Sequence, residues 1–236
     1  MQVLALETSA SSGSIALYGA TGLIAEQDFA VARNHAAELA PRVRAMLADH
    51  GGLPAITGYA VSIGPGSFTG LRIGVAFLKG LAAVVPRPAV GVSSLQAMAV
   101  QALEKTQAST AVAVLDARQG DVFAGAYQAD GTPHPGWPDG LFEGSQAVAR
   151  VSSLATTPST WRAVGDRTLE WPSDIEWVPA EHAVPAAATI GRLGARALAL
   201  GLGVDAGTLD PAYHQRSAAE VNLGVQTSDR AGLNLG

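Results

Sequence analysis

Cysteine is missing from the chain, and lysine is almost missing. Without cysteine the protein can form neither disulfides nor thiolate metal sites, and it has no thiol nucleophile. Lys79 and Lys105 are the only lysines, the formal net charge is −5, and no run of basic residues occurs. A broad nucleic-acid-binding face is therefore not expected, and any contact with RNA is predicted to be small or indirect.

Long uninterrupted apolar runs are absent as well. No segment reaches the roughly 18–20 residues that span a bilayer without charges or glycine breaks. The opening MQVLALETSA has neither a basic segment nor a long apolar one, so it does not read as a secretory signal. The chain is expected to be cytoplasmic, and 48% apolar residues among 236 allow a sizeable core.

Two segments with the same pattern head the two halves of the chain. VLALETSASSGSIALY and AVAVLDARQGDVFAGAY each read as an apolar strand ending in an acid, a polar turn with a glycine, and a strand ending in tyrosine. Glu7 and Asp116 hold matching places. The residues alone leave open whether this is a duplication or chance, since strand–turn–strand units are common. LIAEQDF adds a third strand to a meander at the N-terminus.

The order of the elements predicts an α/β fold with mixed sheets flanked by helices. Helices are expected at about 34–50, from the glycine loop to about 85, from Ser93 or Ser94 onward, at 145–154 and at 186–200. Pro41 is predicted to kink the first helix or to separate its first turn. We predict two lobes across a cleft, residues 1–106 and 107–216, and a peripheral tail, residues 217–236.

A glycine-rich loop, SIGPGSFTGLRIG, precedes the second helix. Its spacing matches neither the P-loop, which needs Lys and Ser or Thr after the second glycine, nor the dinucleotide fingerprint. An anion site at the helix N-terminus stays open. Ser67 and Thr69 can instead cap the helix without any ligand, and we favour this structural role.

The helix after this loop is apolar on nearly all sides. Its only charges, Arg72 and Lys79, share one narrow stripe at the helical repeat of about 100° per residue. One apolar side can rest on its own sheet, whereas the other needs a neighbouring helix or another subunit. We favour a subunit interface on this side, where Gly70, Gly74 and Gly80 would allow the backbone of a partner to come close to the helix.

No catalytic constellation emerges from the residue pattern. No two of the five histidines lie within five residues of each other, so a helical two-histidine metal site is not expected. Glu7 and Asp116 stand at strand ends, where carboxylates hold magnesium or act as a base, or are simply solvated. We predict no metal site and no cofactor.

Six motifs in order resemble the bacterial TsaB family. They are LALETS followed by GSIAL, NHAAELAP, SIGPGSFTGLRIGVAFLKGLA, GVSSLQAMA, LDARQGDVFAGAY and PAYHQRS. The resemblance covers residues 1–216, and the glycine loop with its helix is the most specific part. It implies two duplicated lobes of the actin, Hsp70 and sugar-kinase (ribonuclease H-like) superfamily.

The resemblance also implies a function and partners. Members of the family take part in making threonylcarbamoyladenosine in tRNA, at the adenosine beside the anticodon. The related TsaD carries the metal and the active site, TsaB is its dimerisation partner, and the ATPase TsaE joins the assembly. Family members also form homodimers through the same general surface.

On this resemblance the chain is expected to be a non-catalytic scaffold. TsaD uses two closely spaced histidines, but His35 stands alone in the corresponding region, and the turn Glu7–Ser9 lacks the glycine that superfamily ATPases place there. The predicted partner-facing residues are His35, Leu39, Arg72, Gly74, Phe77 and Lys79. Two alternatives stay open: an ATP-binding transferase that uses Glu7 and Asp116, and, weaker, a metalloprotease.

Overall fold

Two mixed β-sheets form the frame of the residues that the structure describes. The computed structural model describes residues 1–30, 35–154, 161–167, 169–173, 175–179 and 183–212. The first sheet contains β1 (Gln2–Glu7), β2 (Ser12–Gly19), β3 (Gly22–Ala30), β4 (Gly58–Gly64) and β5 (Ala89–Ser93), in the order β3-β2-β1-β4-β5. The first three strands are antiparallel and confirm the predicted meander, whereas β4 and β5 run parallel to β1.

The second sheet repeats the centre of the first. It contains β6 (Thr110–Arg118), β7 (Asp121–Gln128), β8 (Gly140–Glu143) and β9 (Trp161–Gly165), in the order β8-β7-β6-β9. In each sheet the first strand pairs antiparallel with its hairpin partner and parallel with a later strand. This repeated arrangement confirms the predicted α/β fold with mixed sheets and agrees with the predicted duplication of the two lobes.

In the part of the chain that the structure describes, five α-helices cover the sheets. They are α1 (His35–Ala48), α2 (Phe68–Val84), α3 (Ser94–Leu103), α4 (Gly144–Leu154) and α5 (Ala187–Ala199). All five were predicted, but α1 runs through Pro41 as one helix, so the predicted separation of its first turn is wrong. Leu39 and Val43, on either side of the proline, are buried in the same core, and this packing keeps the turns together.

Serine hydroxyls begin two of these helices, as their sequences predicted. The side chain of Ser67 accepts a hydrogen bond from the amide of Gly70 at 3.2 Å, and Ser93 accepts one from Gln96 at 3.2 Å. Each bond satisfies an amide that has no partner within its helix. The N-terminus of α2 is therefore capped by Ser67 and needs no bound ligand to satisfy the amide of Gly70.

The helices do not stay with the sheet that is nearest in sequence. Helices α1 and α2 pack on one face of the first sheet, and α5 packs on the other. Helix α3 packs mainly on the second sheet, whose opposite face is covered by α4. Thus α3 and α5 each cross to the sheet formed by the other half of the chain. The domain limits proposed from the sequence stay a prediction, and residues 217–236 lie outside the described residues.

The first turn of α5 depends on groups from distant strands. Ser14 of β2 accepts a hydrogen bond from the amide of Ala187 at 2.8 Å, and Glu26 of β3 accepts one from Ala188 at 3.1 Å. Partial burial raises the pKa of Glu26 above its ordinary value.

Within the described part of the chain, no helix combines the length and the hydropathy needed to cross a bilayer.

Candidate functional site

The glycine loop packs against the turn that joins β1 to β2. The amide of Ser67 donates to the carbonyl oxygen of Ser9 at 2.7 Å. A side chain on Gly66 would collide with the backbone of Ser9, and one on Gly70 would collide with the carbonyl oxygen of Thr8. The two glycines therefore allow the loop and the first turn of α2 to sit directly on the hairpin.

Gly74 continues the same contact one turn further along α2. A Cβ at this position would run into the hydroxyl of Thr8, which is fully buried. Gly70 and Gly74 thus approach their own chain, which differs from the expectation that they open the helix to a partner. Gly80 has open space where its side chain would be, so it alone of the three helix glycines faces outward.

The carboxyl of Glu7 lies beside a chain of linked hydroxyl groups from the β1–β2 turn, β4 and α3. The amide of Ser9 donates a short hydrogen bond to Oε1 of Glu7. The hydroxyl of Ser94, at the start of α3, lies 3.0 Å from that of Ser9 and 2.7 Å from that of Ser62 on β4. Glu7, Ser62 and Ser94 have no exposed surface. We call these four residues the hydroxyl cluster.

Burial changes the proton affinity of Glu7. Removal from water raises the pKa of its carboxyl from 4.5 to about 7, although the hydroxyls of Ser9 and Ser62 and nearby amides favour the charged form. Among the described residues, Oε2 of Glu7 has no hydrogen-bond partner. The carboxyl therefore gains or loses its proton near neutral pH, inside the protein.

Asp116, the counterpart of Glu7 in the second half, lies in an opposite environment. Its side chain is exposed and accepts a hydrogen bond from the amide of Arg118 at 2.9 Å. Arg118 and Gln119 have positive φ angles of 70° and 57°, which bring the hairpin round tightly before Asp121. Because Glu7 is enclosed and Asp116 is exposed, the two carboxyls do not line one open surface.

The outer side of α2 carries small residues. Ala76, Gly80 and Ala83 are exposed along the helix, and Val84 at its end is 72% exposed. Exposed Arg72 stacks its guanidinium 4.0 Å from the ring centroid of Phe68. We call this side the outer face of α2, and its small residues leave the helix backbone open to close approach.

A shallow groove runs along the neighbouring helix. It has a volume of about 490 Å³ and is lined by exposed residues of α1, namely Ala40, Pro41, Arg44, Ala45 and Ala48. Helix α1 packs against α2. The lining is mostly apolar, with one arginine.

The structure does not bring the predicted partner-facing side chains that it describes onto one face. Leu39 is fully buried in the core, and Gly74 lies against Thr8. Phe77 is half-buried against the hydrophobic core between the first sheet and helices α1 and α2. Lys79 forms an ion pair with Asp210 at 3.2 Å. Arg72 faces outward, whereas the side chain of His35, the first residue of α1, lies outside the described residues. Their role in partner binding stays a prediction.

A second polar cluster ties the two halves together. Asp139 accepts short hydrogen bonds from the hydroxyls of Ser93 and Tyr127. Burial, and then the charge of Asp139, raise the pKa of Tyr127, so its hydroxyl stays a donor. Because Ser93 begins α3 and Tyr127 lies on β7, this carboxylate joins the end of the first sheet to the second.

Neither polar cluster could be predicted from the residue pattern. Ser9, Ser62 and Ser94 are far apart in the chain, and each has a local role in a turn, a strand or a helix start. The outer face of α2 had a signal, because Ala76 and Ala83 follow the charged stripe. In the described ranges, no group of three or more His, Asp or Glu side chains is arranged to hold a metal.

Comparison with known proteins finds relatives over nearly the whole chain. A family model described as TsaD, tRNA N6-adenosine threonylcarbamoyltransferase, matches residues 19–152. The tRNA threonylcarbamoyladenosine biosynthesis protein TsaB of Escherichia coli K12 is 30% identical over 231 residues, or 93% of this chain and 96% of that protein. The protein of the same name from Haemophilus influenzae is 37% identical over 124 residues, 52% of each chain.

Solved structures agree with these relatives. A Pseudomonas aeruginosa crystal structure, described as an uncharacterized protein with similarity to peptidase YEAZ, has a TM-score of 0.76 at 30% identity and covers 91% of this chain and 99% of that one. YeaZ from the same organism has a TM-score of 0.74 at 30% identity, with coverage of 90% and 99%. The similarity therefore spans both sheets.

Proposed function

Because the chain belongs to the TsaB family, we propose that it takes part in forming threonylcarbamoyladenosine in tRNA as a non-catalytic subunit that binds and supports TsaD. The name of the Escherichia coli relative supports the pathway. The description of the family model supports a shared fold with TsaD over residues 19–152. TsaE in a larger assembly and a homodimer through the same surface are further parts of this proposal.

One observation carries the non-catalytic role. Glu7 stands at the first hairpin turn, where an ATPase of this fold needs groups open to phosphate, yet its carboxyl has no exposed surface. The glycine loop and α2 cover the same turn through contacts with Thr8 and Ser9. The turn from Glu7 to Ser9, which would contact a nucleotide in an ATPase of this fold, here packs against α2 instead.

The outer face of α2 and the groove on α1 are the surface that we assign to TsaD. Small residues on this surface let helices of a partner come close, and close packing of helices favours a stable interface. Both helices lie inside the segment that matches the TsaD model. We infer that the corresponding helices of TsaD share this arrangement, which suits a pseudo-symmetric pairing of like surfaces.

Mixing the purified chain with TsaD from the same organism tests the proposal. We expect the two to elute together in size-exclusion chromatography with light scattering, at the mass of a complex. We also expect threonylcarbamoyl transfer by TsaD to need the chain. Separate elution, together with full transfer activity of TsaD alone, would overturn the proposed function.

Calorimetric titration of the isolated chain with Mg-ATP separates the enzyme alternative. A buried Glu7 predicts no micromolar binding. Binding at micromolar affinity that is lost in the Asp116→Asn variant would favour an ATP-dependent transferase instead.

A further inference from the structure

The hydroxyl cluster lies directly beneath the contact that seats α2. Glu7 holds Ser9 through its amide, and Ser9 in turn accepts the hydrogen bond from Ser67, which caps α2. Thr8, between Glu7 and Ser9, provides the surface on which Gly70 and Gly74 rest. Thr8 and Ser9 thus form the platform on which the first turns of α2 rest, and the Glu7 carboxyl helps to hold this platform in place.

The groups that face Glu7 are hydroxyls and amides. Ser9 faces it from the β1–β2 turn and Ser62 from β4, while Ser94 of α3 bonds to both of these hydroxyls. From α2, Gly70 and Gly74 reach the turn at Thr8. Among the described residues, no charged side chain contributes to the proton affinity of this carboxyl. Among the described residues around the hydroxyl cluster, the charge that changes with pH is thus that of Glu7 itself.

The two protonation states hold the turn with different strength. An ionised carboxylate accepts charge-assisted hydrogen bonds from Ser9 and Ser62, and such bonds are stronger than neutral ones. A protonated carboxyl loses this advantage, and a proton on Oε2 faces no acceptor among the described residues. Because burial brings the pKa to about 7, the exchange between the states occurs near neutral pH.

We propose that Glu7 is a positioning residue for the partner-binding face of α2, and that its ionisation sets how firmly this helix is seated and how tightly the partner binds. This inference rests on the proposed function and adds a regulation to it. The ionised form holds the platform, so affinity for TsaD falls as Glu7 gains a proton.

Affinity for TsaD as a function of pH is the first measurement. We expect the wild-type dissociation constant to rise about fivefold from pH 8 to pH 6, within the usual range of coupling between sites. Glu7→Gln is neutral at every pH and should show the weak affinity at both. Glu170→Gln removes an exposed carboxylate in the second half and should follow the wild type. Comparing variants at each pH cancels any titration of TsaD itself.

Hydrogen exchange of the isolated chain is the second measurement, and it does not need a partner. Protection factors of the amides from Gly70 to Val75 should be several-fold lower in Glu7→Gln than in the wild type at pH 8, and should converge at pH 6. Equal protection at both pH values overturns the positioning role. If the wild type binds TsaD with no dependence on pH or on Glu7, the regulation fails while the proposed function stands.

A second variant covers the case in which Glu7→Gln does not fold. Ser62→Ala removes a hydroxyl that favours the ionised form, so the midpoint of the pH dependence should move to higher pH. An unchanged midpoint contradicts the inference. If the wild type does not bind TsaD at any pH, the proposed function fails, and hydrogen exchange still decides the role of Glu7.

Discussion

The carbonyl oxygen of Thr8 lies where a side chain on Gly70 would begin. This contact joins the first hairpin turn to the first turn of α2 through backbone alone. Neither Thr8 nor Gly70 can move away without losing other contacts. Thr8 follows a central strand, and Gly70 is held by the cap from Ser67. The seat of the outer face of α2 therefore depends on a residue with no side chain.

Gly70→Ala should destabilise the protein. A methyl group there would meet the backbone of Thr8, and overpacking of this kind costs about 1–3 kcal/mol. Gly80→Ala in the same helix is the matched control, because nothing lies within 4 Å of its Cβ position. Alanine should there stabilise α2 by about 0.5–1 kcal/mol. Urea unfolding of both variants measures the difference, and a Gly70→Ala variant as stable as the wild type would contradict the contact.

Glu7→Gln should change how stability depends on pH. The folded protein holds a proton on Glu7 up to a pKa of about 7, whereas the unfolded chain loses it near 4.5. Between these values the folded state binds more protons, so the free energy of unfolding falls as pH rises, by at most about 1.4 kcal/mol per pH unit. The wild type should thus gain stability relative to the variant from pH 8 to pH 5. Parallel curves in urea unfolding would contradict the raised pKa.

This stability effect and the seating of α2 move in opposite directions. Ionisation of Glu7 strengthens its hydrogen bonds to the turn, but it also places a charge away from water. At high pH we therefore expect lower global stability together with better protection of the amides in the first turns of α2. Measuring both on one sample separates the two effects.

Ala76→Glu should weaken the complex with TsaD. Ala76 is exposed in the middle of the outer face of α2, and a buried unpaired carboxylate at an interface costs enough for a tenfold or greater loss of affinity, about 1.4 kcal/mol. Ala149→Glu, at an exposed position of α4, is the matched control. Both variants should keep the wild-type midpoint of thermal unfolding. Equal binding of TsaD by both would remove the outer face of α2 from the interface.

Tyr127→Phe and Ser93→Ala should not add up. Each removes one of the two hydroxyls that donate to Asp139, and each should cost about 1–2 kcal/mol. Because both act on one carboxylate, the double variant should differ from the sum by at least about 0.5 kcal/mol. Chemical unfolding of the four proteins completes this cycle. Additive losses would show that the two bonds act separately.

Much of the fold could be predicted because its signals are local. The strand that ends at Glu7 and the one that includes Asp116 were read from apolar runs and turn residues, and Ser67 and Ser93 from their places before helices. The prediction of α1 failed only in the alternative that Pro41 separates its first turn. The penalty of a proline is local, whereas the burial of Leu39 and Val43, which outweighs it, is not.

The site was predicted less well, because it depends on contacts between distant segments. Gly74 was expected to face a partner, since the periodicity of α2 shows two apolar sides without showing which one meets the hairpin. Glu7 and Asp116 match in the sequence, but one is buried and the other exposed. The difference arises because the glycine loop and α3 close over the first turn.

The sequence by itself determined most of the elements and the family, since periodicity, capping and motif order are properties of neighbouring residues. Only the tertiary structure decided that α3 and α5 exchange sheets, that Gly70 and Gly74 of α2 rest on Thr8, and that Ser62 and Ser94 join the polar cluster around Glu7. These facts follow from which distant surfaces exclude water together, and no local pattern encodes that choice.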